Sequence, residues 1–129
     1  MVIQVINKNR GFVISESCGV ADSFFSRFRG LMLSGPRDLV LVSPREDIKS
    51  STIHMLFMRF PIDVMWLDSK MVVVDIRKKI KANSLGIFRP EKPARFVVEL
   101  GVGKLGTTDV GDGIEFSHPG PAKPLHQPL

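Results

Sequence analysis

Cysteine is almost absent from this chain: Cys18 is the only one in 129 residues. One thiol cannot close an internal disulfide, which suits a reducing compartment. No basic group near it in sequence lowers its pKa, so Cys18 reads as a packing or loop residue rather than a nucleophile. No Cys/His cluster has zinc spacing, and neither a metal nor a cofactor is expected. GVGKLG at 101–106 lacks both the GK[ST] ending of a phosphate-binding loop and the helix that should follow. There is no GxSxG elbow. The opening MVIQVINKNR has no long apolar stretch or small-residue cleavage site, so no export signal is read there and a cytoplasmic location is expected. The apolar run at 53–67 is too short and too charged to span a bilayer, so no membrane partner is expected.

What is present fits one globular domain. A chain of 129 residues buries roughly two thirds of the surface it exposes unfolded, enough to fold without a staple. Hydrophobic and charged fractions of 43% and 24% are ordinary. Apolar stretches at Val2–Ile6, Phe12–Ile14, Leu39–Val42, Thr52–Phe60, Asp63–Leu67, Met71–Ile80, Ala94–Leu100 and Ile114–Phe116 read as strands. Asp63–Leu67 and Met71–Ile80 form the clearest hairpin, turning at Asp68-Ser69-Lys70. In its second arm Val72, Val74, Ile76 and Ile80 share one face, and Asp75, Arg77 and Lys79 the other. Residues 15–20 lead into a helix, with Asp22 as N-cap and Phe24, Phe25, Phe28, Leu31 and Met32 on one face. Ser34-Gly35-Pro36 ends it. Residues 82–93 read as loop, and Gly101, Gly103 and Gly106 as a flexible connection. The fold expected is mainly β: a compact sandwich or jelly-roll-like barrel over residues 1–117 with one short helix near the N-terminus. Residues 118–129 form a proline-rich tail expected to be disordered, where His118 and His126 are solvated.

The informative stretch is Ile53–Leu67, IHMLFMRFPIDVMWL. Three ionisable groups, His54, Arg59 and Asp63, are embedded in apolar neighbours. A buried charge must be paired or it destabilises the fold. Pro61 breaks the run. Arg59 and Asp63 flank that break, either as a structural clip or as ligand contacts. Glu99 is similarly misplaced in RFVVEL, where burial would raise its pKa. Asp63 and Glu99 could also act as an acid/base pair. A second feature is charge: Lys70–Arg95 holds eight Lys/Arg against two acids in a chain of net charge +5. Lysines on an exposed sheet edge explain this more simply than a nucleic-acid surface, because aromatics for base stacking are lacking.

The segments RFRGLM (27–32), IHMLFMRFPIDVMWLD (53–68), ARFVVELGVG (94–103) and the late Gly111-Asp112, in that order, resemble the prokaryotic family called domain of unknown function 192. The likeness spans about residues 1–117 and leaves out the tail. It implies a β-rich, sandwich- or jelly-roll-like fold with an early helix, and it implies no activity. The family motif falls here on Arg29, Gly30, Met32, His54, Met58, Pro61, Asp63, Glu99, Gly103 and Asp112.

Three functions follow. The first is a binding module holding a small polar or anionic ligand with Arg29, His54, Met58, Arg59, Asp63 and Glu99. The second is an enzyme using His54 or Glu99 as general base, which requires an open cleft beside them. The third is an interaction protein using the basic 70–95 surface. Nothing in the sequence specifies an oligomeric state.

Overall fold

The computed structural model describes residues 2–21, 37–54, 59–82 and 86–118, with His54 described by its backbone alone. In chain order the strands are β1 (Val2–Asn7), β2 (Phe12–Ala21), β3 (Asp38–Asp47), β4 (Ile53–His54), β5 (Ile62–Leu67), β6 (Val73–Ile80), β7 (Ile87–Phe88), β8 (Ala94–Leu100) and β9 (Ile114–Ser117). Seven of them make one sheet in the order β6-β5-β8-β3-β2-β1-β9, and β4 pairs with β7 in a separate two-stranded sheet. All pairings are antiparallel except β2 with β3. The large sheet curls into a half-barrel, and its edges meet at the start of β6. There Val73 N donates to Asp112 O at 3.0 Å, Gly111 N to Val73 O at 2.8 Å, and Ile114 N to Met71 O at 2.8 Å. The mainly β expectation therefore holds, and of the sandwich and barrel alternatives the curl gives a half-barrel. The described residues contain no helix; the helix expected after residue 20 lies outside them.

Strand alternation sends side chains to two clusters. One, including Val5, Cys18, Val40, Met65, Val73, Val98 and Ile114, draws on all seven strands of the sheet and so fills the inside of the curl. The other, including Ala21, Leu39, Leu41, Val64, Trp66 and Val97 with Ile53 from β4, covers the outer face. Because β5 lies between β6 and β8 with apolar layers on both sides, all six of its residues are buried. Its one polar-capable apolar group is satisfied: Trp66 Nε1 donates to Ser51 O at 2.7 Å.

Several boundaries differ from the sequence reading. The polar stretch after Ile14 continues β2 to Ala21 instead of leading out of it. Partners on both sides draw it into the sheet, β1 through Ser15, Cys18 and Gly19 and β3 through Cys18–Ala21. The run around Pro61 is not one doubly covered strand pair. Ile53–His54 pairs with Ile87–Phe88, inside the stretch expected to be loop, while Ile62–Leu67 enters the large sheet. In β6, register shifts opposite Asp63 and near Leu67 break the expected alternation. Val74 packs on the outer cluster and Ile76 on the inner one. Asp75, expected on the solvent face, is buried and accepts from Ile76 N at 2.8 Å and Glu91 N at 3.0 Å.

Three of the eight basic residues of the 70–95 run fall on this edge strand. Arg77, Lys78 and Lys79 are exposed on β6, and the register shift lies at Lys78-Lys79. Lysines and a bulge on an outer strand are a recognised guard against edge-to-edge pairing. Lys79 has φ of 55°, a left-handed conformation that costs a non-glycine residue on the order of 1 kcal/mol. Lys79→Gly is accordingly expected to raise stability by up to about 1 kcal/mol, partly offset by glycine's greater freedom in the unfolded chain. A fall in the urea midpoint would show that the lysine side chain outweighs the backbone strain.

Candidate functional site

The structure separates the residues that the sequence groups together. Asp63 and Glu99 sit on neighbouring strands, but in the β5–β8 register Asp63 is opposite Leu100 and Glu99 is opposite Val64. Residues directly opposite share a face. Asp63 therefore points into the curl with Leu100, and Glu99 points to the outer face with Val64. They cannot be an acid/base pair acting on one substrate.

Asp63 is also not clipped to Arg59. Arg59 is exposed, whereas both Asp63 oxygens are used elsewhere: Oδ1 accepts from Lys79 N at 2.9 Å and Oδ2 from Gly103 N at 2.9 Å. One carboxylate thus holds the β6 bulge and the glycine-containing loop after β8. Asp38, at the start of β3, does the matching job on the same inner face. Its Oδ1 accepts from Gly101 N at 3.0 Å, and its Oδ2 accepts from Ser15 Oγ at 2.5 Å and Lys104 Nζ at 2.6 Å. The 101–106 connection, expected to be flexible, is pinned by two buried carboxylates. Gly103 meets this demand with φ of 94°, which a side chain would resist. Sequence reasoning missed Asp38; the available signal was an acid opening the apolar run DLVLV.

The late Gly111-Asp112 motif is structural in the same way. Asp112 Oδ2 accepts from Asn7 Nδ2 at 3.0 Å, Arg10 Nε at 2.6 Å and Asp109 N at 2.9 Å. The Arg10 contact and the Asn7 and Asp109 bonds hold the Asp112 carboxyl down at about 2. Its contribution to stability is present above the ordinary aspartate range and is lost as pH falls through about 2.

Glu99 is different. It is 6% exposed, and its Oε1 has no hydrogen-bond partner among the described residues. Leu39 on β3 and Val64 on β5 flank it in register, with Val97 two residues away on the same face. Burial in this apolar row pushes its pKa up to about 7. The general-base reading named His54 or Glu99 beside an open cleft: Glu99 is buried, and the His54 side chain lies outside the described residues. Burial likewise pushes the Cys18 thiol up to about 12, so it packs inside the curl as an inert group. Arg29, Met58 and the His54 side chain lie outside the described residues. Among the described residues no three His, Cys, Asp or Glu side chains gather as metal ligands. No helix there is long and apolar enough to cross a membrane.

A curled β half-barrel with two carboxylates pinning one loop and a third buried with one oxygen unpartnered among the described residues is the class of domain defined here. The chain belongs to the DUF192 family, described as an uncharacterized ACR, whose model matches residues 5–118. It is similar to a UPF0127 protein of Thermococcus gammatolerans, 41% identical over 84% of this chain and 71% of that protein. A UPF0127 protein of Pyrococcus furiosus is 34% identical over 88% of this chain and 97% of its own length. Two solved structures share the fold. A candidate transcription regulator from Sinorhizobium meliloti superposes with a TM-score of 0.76 at 19% identity, covering 89% of this chain and 92% of that one. A protein of unknown function from Novosphingobium aromaticivorans gives 0.75 at 16%, covering 89% and 84%.

Proposed function

We propose that this protein is a small binding module that holds a small polar ligand at the outer sheet face around Glu99. The observation carrying this reading is the buried Oε1 of Glu99, an acceptor with no partner among the described residues. Such a group is expensive to keep unless something completes it. Near neutral pH the carboxyl is close to half protonated, with its pKa raised to about 7, so it can donate as well as accept. Arg29, His54, Met58 and Arg59 are the further groups proposed to surround the ligand; Asp63 is not among them. The buried Cys18 thiol fits work in a reducing, cytoplasmic compartment.

The test is an amide NMR titration of the full chain with a library of polar metabolites. Shifts are expected at residues 39–41, 62–65 and 97–100, and they should vanish in Glu99→Gln. If no library member moves this group, the binding reading fails. One structural neighbour's description as a candidate transcription regulator suggests nucleic acid as an alternative. The placement of Arg77, Lys78 and Lys79 on the edge strand favours edge protection over that alternative.

A further inference from the structure

A cleft lies away from Glu99, where β6 faces the loop at 106–110. Its volume is about 460 Å³, within the range of small-molecule sites. Its lining is mixed: Ile76 and Val110 are apolar, Thr107 carries a hydroxyl, and Asp75, Lys78 and Asp109 carry charge. Asp75 is buried and already engaged by Ile76 N, Glu91 N and Arg77, which leaves Lys78 and Asp109 as the two charges open to a ligand. The cleft walls are held from behind. Gly106 N donates to Gly103 O at 3.1 Å, Thr108 N to Leu105 O at 3.0 Å, and Asp112 N to Asp109 O at 3.1 Å. The backbone N of Asp109 is fixed on Asp112 Oδ2 at 2.9 Å.

The two charges do not neutralise each other. Lys78 Nζ makes one long contact, 3.5 Å to Gly106 O. Asp109 Oδ1 accepts only from Val110 N at 2.8 Å, and the carboxylate contributes at a distance to the field at Arg10, which is itself paired with Asp112. Among the described residues neither Lys78 nor Asp109 enters an ion pair. An ammonium and a carboxylate that line one cleft without pairing complement a ligand with both charges on a short scaffold.

We propose that this cleft binds a zwitterionic α-amino acid, its carboxylate at Lys78, its ammonium at Asp109, and its side chain against Ile76 and Val110. Exposure suits this assignment. Val110 is 53% exposed, apolar surface that a ligand side chain would cover. The Thr107 hydroxyl makes no hydrogen bond with the described residues and is free to join the ligand's polar end.

The experiment is an amide NMR titration of the full chain with a panel of L-α-amino acids, each beside its N-acetyl and its amide derivative. Free amino acids should shift residues 76–78 and 106–110. Blocking either charge should weaken binding by about tenfold or more, as should Lys78→Gln and Asp109→Asn. Glu99→Gln should leave this binding unchanged, which keeps the test independent of the site on the outer face. The assignment is overturned if no amino acid shifts the cleft, or if the blocked derivatives bind as tightly as the free ones. It also fails if the two charge-removing variants, folded by their spectra, bind like the parent chain.

Discussion

Asp63→Ala is expected to remove about 3–5 kcal/mol of folding stability, a large share of the roughly 5–15 kcal/mol that domains possess. The substitution takes away both acceptors of a buried carboxylate and leaves the amides of Lys79 and Gly103 without their partners at 2.9 Å. A hydrogen bond to a charged group contributes roughly 1.5–3 kcal/mol, and a buried donor left unpaired is penalised beyond the bond's net worth. Two separate elements depend on the group, so both should loosen together: the β6 bulge and the loop after β8. Asp63→Asn retains one acceptor oxygen but turns an amide NH2 toward a backbone N–H, and should fall between the alanine variant and the parent. Urea unfolding gives the energies, and amide exchange at Lys79 and Gly103 locates them. If Arg59→Ala cost as much as Asp63→Ala, an Arg59–Asp63 clip would have to be reinstated.

This case shows where sequence reading stopped. The odd placement of Asp63 in an apolar run marks it as a buried group that must be partnered, and adjacency in sequence points to Arg59 as the partner. The partners are backbone amides 16 and 40 residues away. Backbone donors leave no trace in composition, and a bulge that presents one cannot be read from alternation. The same limit explains β6, where the register shift between Trp66 and Leu67 places Val74 and Ile76 on opposite faces. It also explains the glycines at 101–106, which resemble a loose connection until Asp38 and Asp63 bind their amides. Strand existence was clear wherever apolar runs were long, as in β5, β6 and β8. The family motif brought Asp63, Glu99 and Asp112 to attention together, yet the sheet sends Asp63 and Glu99 to opposite faces. Strand parity decides that, and parity needs a register.

The second large effect belongs to Glu99 and has the opposite sign to an ordinary salt-bridged acid. Its carboxyl has an ordinary value of 4.5, raised in the fold to about 7. The folded state therefore holds its proton over a range where the unfolded chain has released it. Stability from this group is fully present below about 4.5, declines as pH rises from there, and levels off above about 7. The shift corresponds to about 3 kcal/mol across that window. Asp112, held down at about 2, acts only below the window, and Cys18, pushed up to about 12, acts only above it. The difference between parent and Glu99→Gln curves isolates the carboxyl from every group the two chains share. Urea midpoints measured from pH 4 to 8 should fall in the parent chain relative to Glu99→Gln, with the gap closing toward acid pH. A difference that stays constant with pH would mean that Glu99 finds its partner in the fold. A ligand that completes Oε1 with a cationic donor should shrink the gap at neutral pH, by stabilising the ionised carboxylate that burial alone disfavours. The pH dependence of this one residue thus measures both the penalty for its burial and any ligand that relieves it.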